Sequence, residues 1–327
     1  MLESLRKRIL LSISLAAIIY LAFIIYVDYE KVAESFSRFN WWLVPVLLVL
    51  SLGNYFTRFV KWQYYLKLIQ ISLQKLDSLS IFLSGLVMSI TPGKMGELLK
   101  SYLIKQVNNT PISKTAPIVF AERITDFLAL TILSIIGAYY FNFGKIIAIV
   151  ILIFILIGII ILTNKKIFNI ITGLVSRINI LKKHIEKIEN LYESSSRLLS
   201  FLPLTTMTFL SAFSWGLEGL GYYLILLNFD STISLAWPLF SYSFSTIVGA
   251  VSMLPGGLGI TEGSLTIMSV QIGLSENDSS AATFIIRAVT LWFAVLVGAV
   301  SLFFYQKKLL KLNSTNVDQT FLQDISK

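Results

Sequence analysis

Long apolar stretches, separated by short polar and charged segments, run through most of the chain. Segments 9–27 and 146–163 contain no charged residue. About 20 apolar residues cross a bilayer as an α-helix, and a soluble helix of that length would carry a polar stripe. The pattern therefore predicts an all-α polytopic membrane protein. Six spanning helices are predicted, at 9–27, 41–57, 115–141, 146–163, 201–228 and 281–305.

Proline and glycine interrupt two further apolar stretches in the same way. Positions 89–97 read Ser-Ile-Thr-Pro-Gly-Lys-Met-Gly-Glu, and positions 252–262 read Ser-Met-Leu-Pro-Gly-Gly-Leu-Gly-Ile-Thr-Glu. The apolar pieces beside each break are short for two full spans, so we predict two re-entrant helical hairpins. The pieces are 78–91 with 97–104, and 234–254 with 260–272. The expected turn residues are Pro92, Gly93, Gly96, Pro255, Gly256, Gly257 and Gly259.

Lysine and arginine are distributed unevenly between the predicted loops. Segments assigned to the cytoplasm hold most of them, whereas those assigned outside hold only Lys31, Arg38 and Lys145. By the positive-inside rule, both termini lie in the cytoplasm of a cell-membrane protein. Two full spans at each break would also keep both termini inside. The net charge of +9 follows from this rule and does not indicate nucleic-acid binding.

The composition narrows the chemistry further. The chain has no cysteine and a single histidine, His184, so disulfides, thiol chemistry and histidine-based metal or catalytic clusters are excluded. There is no Walker A motif to bind ATP. We predict no cofactor and no metal. The basic run before segment 9–27 is typical of a signal peptide, but the apolar run is long and no clear Ala-x-Ala site follows, which favours a retained span.

The two interruptions belong to a longer series of landmarks that recur in the same order. The matching pairs are Tyr64-Tyr65-Leu66 with Tyr222-Tyr223-Leu224, Pro92 with Pro255, Glu97 with Glu262, and Arg123 with Arg287. The last three pairs are 163, 165 and 164 positions apart. In the predicted topology the first hairpin enters from the cytoplasm and the second from outside. The series therefore predicts inverted repeats, which suit alternating access in a transporter.

We predict a single membrane domain over 1–327. It divides into repeat 1 at about 41–163, a basic linker at 164–200, repeat 2 at about 201–305 and a cytoplasmic tail at 306–327. Apolar residues recur at helical spacing in the linker, which is typical of an amphipathic helix on the inner membrane face. A solvated connector between the halves is the alternative.

Several ionisable residues fall inside apolar segments, where charges are costly. Glu122, Arg123 and Asp126 share one face of their helix. They form either a local i, i+3 ion pair between Arg123 and Asp126 or the polar wall of a headgroup site. Glu262 is a candidate partner for Arg287, or a proton-carrying group.

The first break carries the most specific candidate site. Lys94 lies between two glycines, just before a predicted half-helix whose N-terminus would favour an anion such as phosphate. Glu97 begins that half-helix or pairs with a buried arginine. Arg58, with Lys61 and Trp62, either anchors the span end at the membrane interface or captures phosphate beside Lys94.

Three motifs resemble the lysylphosphatidylglycerol synthase transmembrane family, also called the flippase-like domain family. They are Thr-Pro-Gly-Lys-x-Gly-Glu-x-x-Lys at 91–100, Glu-Arg-x-x-Asp at 122–126 and Pro-x-Gly-x-Gly-x-x-Glu at 255–262. In the multidomain synthases, the matching membrane part is associated with moving lipid across the bilayer. Only 306–327 follows the last predicted span, so the resemblance implies the membrane part without the soluble synthase domain.

The leading hypothesis is a lipid flippase-like transporter, not an enzyme. Its substrate would carry an anionic headgroup, as in a phospholipid, an aminoacylated phospholipid or a polyprenyl-phosphate carrier. The expected substrate-binding residues are Arg58, Lys94, Glu97, Glu122, Arg123, Asp126, Glu262 and Arg287. The alternatives are an intramembrane enzyme acting on a lipid-linked substrate, and a membrane partner that recruits a cytoplasmic enzyme through the linker.

Overall fold

A computed structural model describes residues 29–141, 144–176, 185–230 and 232–308, and these ranges are helical without any strand. The predicted span at 9–27 lies outside them, as does most of the tail. The helices are α1 (Tyr29–Arg38), α2 (Leu43–Leu68), α3 (Lys75–Leu86), α4 (Leu99–Asn108), α5 (Ile112–Phe141), α6 (Lys145–Thr163), α7 (Lys165–Ser176), α8 (Ile185–Leu198), α9 (Phe201–Phe229), α10 (Ala236–Val251), α11 (Ile260–Gln271) and α12 (Glu276–Lys308).

Four helices in the described ranges, α2, α6, α9 and α12, are long and apolar enough to cross a membrane. They match four of the predicted spans. The predicted span at 115–141 is also helical, as part of the 30-residue α5. Helix α6 is apolar along almost its whole length, and its buried residues are Ala148 and Ile159, as expected for a helix that faces lipid.

The second span extends further than predicted. Helix α2 continues to Leu68, so Arg58, Lys61 and Trp62 lie within it and are all buried. Interfacial anchoring was therefore the wrong interpretation of these three residues. The sequence pattern is ambiguous here, because basic and aromatic residues after an apolar run are also typical of a helix end at the membrane interface.

The long helices form one bundle. Helix α9 packs against α2, α5 and α10, and α5 packs against α10. The described part of the linker forms α7 and α8, and α8 packs against α5 with Leu198 fully buried. The rest of the linker, 177–184, lies outside the described residues.

Each Pro-Gly element breaks a helix into two shorter pieces. Helices α3 and α4 flank 3₁₀ turns at Val87–Ile90 and Pro92–Leu98, while α10 and α11 flank a 3₁₀ turn at Pro255–Gly257. Gly93 and Gly256 have positive φ angles of 56° and 62°, a conformation that glycine adopts without a steric cost.

The two breaks meet each other inside the bundle. A Cβ atom built on Gly93 would lie 3.1 Å from the Cε atom of Met253, beside the second break. A Cβ built on Gly256 would lie 3.4 Å from the Cα atom of Ile90, beside the first. We call the helix pairs α3–α4 and α10–α11 the first and second hairpin, and the Pro-Gly turns between their helices the tips. The two tips contact each other.

Candidate functional site

A cavity of about 280 Å³ lies where the two hairpin tips meet α2, α5, α9 and α12. Five of the predicted substrate-binding residues, four cations and one carboxylate, line it together with a further carboxylate and several aromatic residues. The charged lining residues are Arg58, Lys94, Arg123, Arg287, Asp126 and Glu218. The predicted residues Glu97, Glu122 and Glu262 are buried and do not contribute to the lining.

Glu97 is the centre of a buried ion cluster behind the first tip. Its carboxylate lies 3.3 Å from the Nζ of Lys100, 3.5 Å from Arg123 and 3.6 Å from Arg58. The residue is 1% exposed. It belongs to the 3₁₀ turn rather than to the first turn of the following helix, because α4 begins only at Leu99. Within this turn only Gly93 and Lys94 have non-helical φ and ψ angles, so helical backbone leads into α4 from directly after Lys94.

Helix α5 supplies the other carboxylates of this cluster. Lys100 contacts Glu122, and its ammonium group lies over the ring of Trp62. The expected i, i+3 pair is present, with 3.1 Å between Arg123 and Asp126. The local pair and the polar wall are therefore not exclusive, since Arg123 and Asp126 also line the cavity.

Lys61 joins three helices at the edge of the cluster. Its Nζ donates to Asp126 on α5 at 2.8 Å and to Ser211 on α9 at 2.7 Å. Burying an ammonium group is costly unless it is paired and hydrogen-bonded, and these contacts satisfy that condition. Lys61 is thus part of the buried network.

A second pair holds the other tip. Arg287 lies 2.6 Å from Glu262 and donates to the carbonyl of Gly256 at 2.7 Å. The other oxygen of Glu262 accepts from the N–H of Gly259 at 2.7 Å, which caps α11. The predicted Glu262–Arg287 contact is present, and it fixes the turn to α12.

Lys94 is the exception among the cavity cations. Within the described ranges, it has no carboxylate within 4 Å, and its ammonium group lies 5.3 Å from the centre of the Trp215 ring. Trp215 also lines the cavity, and its buried indole N–H donates no hydrogen bond in the described part of the chain. The ammonium group of Lys94 at this wall is available to an oxyanion.

Glu218 on α9 occupies another part of the wall. It accepts a hydrogen bond of 2.6 Å from the hydroxyl of Tyr242 on α10. Neither Tyr242 nor Trp215 stands out in the sequence as a site residue, because each is an aromatic residue in an apolar helix. Glu218 does carry a signal, since it is a carboxylate in a predicted span.

The carboxylates do not form a metal site. No group of three or more histidine, cysteine, aspartate or glutamate residues is arranged to hold a metal ion in the described ranges. The carboxylates of the first cluster instead face lysine and arginine. The arrangement therefore stabilises the buried cations and leaves the half-buried Lys94 available to a ligand.

Comparison with known proteins identifies the family of the chain. The family described as "Lysylphosphatidylglycerol synthase TM region" matches residues 9–298. A UPF0104 membrane protein from Methanocaldococcus jannaschii is 29% identical over 226 residues, covering 68% of this chain and 95% of the relative. One from Methanothermobacter thermautotrophicus is 25% identical over 287 residues, covering 80% and 84%. One from Pyrococcus horikoshii is 24% identical over 269 residues, covering 74% and 80%. The chain belongs to the lysylphosphatidylglycerol synthase TM region family.

Proposed function

We propose that this protein is a lipid flippase-like transporter that binds a phosphate-bearing headgroup in the cavity between the hairpin tips. The observation that carries the proposal is the charge of the cavity wall. Arg58, Arg123 and Arg287 each have a carboxylate partner, whereas Lys94 has none within 4 Å among the described residues. Lys94 therefore provides a positive charge that a lipid phosphate would complement.

The balance of charge in the whole site agrees with an anionic ligand. The cations of the described site are Arg58, Lys61, Lys94, Lys100, Arg123 and Arg287, and its carboxylates are Glu97, Glu122, Asp126, Glu218 and Glu262. Cations exceed carboxylates by one. With all five carboxylates ionised the site keeps one excess positive charge, and an anionic ligand would lower that excess, which is costly in a buried site.

The proposed route of the lipid across the membrane follows from the contact between the two hairpin tips. We propose that the hairpins are re-entrant, that they enter from opposite sides, and that α5 and segment 9–27 complete six spans. Hairpins from opposite sides reach each other near the midplane, which agrees with their contact. Small movements of either hairpin would then open the cavity to one leaflet at a time.

Leaflet-resolved lipid movement tests this function. Purified protein in liposomes with fluorescent phosphatidylglycerol should increase exchange between leaflets, measured by chemical quenching of the outer leaflet. Lys94→Gln should lose most of the movement, whereas Lys105→Gln, at an exposed lysine of α4, should retain it. The lipid mass should stay unchanged. No movement of phosphatidylglycerol or of a polyprenyl phosphate would refute the proposal, and a new lipid mass would indicate an enzyme.

The topology has a separate test, which the absence of cysteine makes simple. Lys105→Cys lies near the base of the first hairpin and Thr232→Cys near the base of the second, and both positions are exposed. A thiol reagent that cannot cross membranes should label them from opposite sides. Labelling from the same side would overturn the inverted arrangement.

A further inference from the structure

Glu218 differs from the other buried carboxylates of the site. Glu97, Glu122, Asp126 and Glu262 each lie within 4 Å of a lysine or arginine. Glu218 is also buried, with 9% of its surface exposed, yet it forms no such ion pair with any described residue. Its hydrogen-bond donor is the neutral hydroxyl of Tyr242.

The groups that share the cavity with Glu218 come from every helix packed around it. They are Tyr55 and Arg58 on α2, Lys94 on the first tip, Arg123 and Asp126 on α5, Tyr242 on α10, and Arg287 on α12. The three arginines are held by their own carboxylates. Lys94 is the cation that the proposed phosphate would engage, and it would then no longer be available to Glu218.

We propose that Glu218 binds a proton together with the lipid headgroup, so that the protein carries one proton with each anionic lipid. This inference rests on the proposed function of the same cavity. In the step, the carboxylate of Glu218 takes a proton from the entry side and becomes a neutral carboxyl group. It returns the proton to water on the exit side, and no other bond changes.

The physical reason is repulsion inside a small cavity. A phosphate beside Lys94 and an ionised Glu218 would place two negative charges within one enclosed space, and like charges there disfavour each other. Protonation removes that repulsion and gives Glu218 a hydroxyl donor for a phosphate oxygen. By linkage, the proton favours headgroup binding and the headgroup favours proton binding to the same extent.

The test compares lipid movement at about pH 5.5 and about pH 8 in vesicles containing phosphatidylglycerol, whose phosphodiester stays singly charged. Wild type should move lipid about tenfold faster at the acidic pH. Glu218→Gln keeps an acceptor for Tyr242 and carries no charge, so its movement should not depend on pH. Glu218→Asp, which restores a carboxyl group, should restore the dependence. Glu189→Gln, at an exposed carboxylate of α8, and His184→Gln should keep the wild-type profile.

A pH-sensitive dye inside the vesicles measures the proton directly. Net lipid movement into the inner leaflet should acidify the interior for wild type and leave it unchanged for Glu218→Gln. A wild-type rate that does not vary with pH, or a Glu218→Gln variant with the wild-type profile, would overturn the inference. Loss of movement in Lys94→Gln would still support the proposed function in that case, so the two claims fail separately.

Discussion

Replacing Lys100 by methionine should destabilise the folded protein strongly, because the lysine charge is buried at the first hairpin. Lys100 is 1% exposed and contacts both Glu97 and Glu122. Its stem passes over Gly85, where an added Cβ would lie 2.7 Å from the Lys100 Cγ. Methionine has a similar length and can follow the same path, so packing is largely kept and the charge is lost.

The magnitude follows from the local pairing of Glu122. Among the described residues, Lys100 is the one cation within 4 Å of the Glu122 carboxylate, whereas Glu97 keeps Arg58 and Arg123 when Lys100 is replaced. Lys100→Met leaves Glu122 without its cation, and an uncompensated buried charge costs about 3–5 kcal/mol. The double variant Lys100→Met with Glu122→Gln removes one charge of each sign, and it should recover at least about 2 kcal/mol of that loss.

Equilibrium unfolding of the purified protein in detergent micelles, with added denaturing detergent, measures these free energies. The matched control is Lys105→Met, which removes an exposed lysine from the same helix and should change stability by less than about 0.5 kcal/mol. The reasoning fails if Lys100→Met is as stable as wild type. It also fails if the double variant loses the sum of the two single losses, because the residues would then not be coupled.

Three further substitutions and one control, Gly158→Ala, test the packing and the cavity. Gly298→Ala should lower the free energy of unfolding by about 1–3 kcal/mol, because the added Cβ would lie 2.2 Å from the backbone nitrogen of Val87. The control Gly158→Ala on α6, where nothing lies within 4 Å of an added Cβ, should leave that free energy unchanged or raise it by up to about 1 kcal/mol. Gly93→Ala should lower the free energy of unfolding by about 1–2 kcal/mol, because the φ angle of 56° at this position is unfavourable for a residue with a Cβ atom. Unchanged stability would argue against this turn conformation. Trp215→Leu removes the ring beneath Lys94, an interaction of about 0.5–2 kcal/mol, so lipid movement should fall a few-fold; an unchanged rate would show that the ring does not position Lys94.

The two breaks and the buried charges were accessible from the sequence for a physical reason. Proline and glycine remove or relax the constraints that keep a helix continuous, so a break in an apolar run is visible at Pro92 and Pro255. Charged residues in an apolar run require partners, which marks Arg123 and Arg287 as site residues. Glu262 could be predicted as the partner of Arg287 because it is the carboxylate near the start of the helix that follows the second break.

The other contacts of the site depend on tertiary packing that no local sequence pattern encodes. Lys61 contacts residues of α5 and α9, whereas its sequence neighbourhood is equally typical of a helix end at a membrane surface. The Tyr242–Glu218 hydrogen bond joins α9 to α10, and it depends on the angle at which those helices cross. Glu97 lies behind the cavity because a 3₁₀ turn precedes α4, and its 3-residue period rotates side chains differently from an α-helix.

Protection of a single cysteine in the cavity tests the central claim, that the space between the hairpin tips holds a phosphate-bearing headgroup with a net negative charge. Thr246 on α10 lines the cavity, and Thr246→Cys would be the chain's one thiol. We expect phosphatidylglycerol to slow its reaction with a small thiol reagent several-fold relative to phosphatidylcholine, whose headgroup has no net charge. Adding Lys94→Gln should remove that difference. Equal labelling rates in the two lipids, with Lys94 intact, would contradict the account.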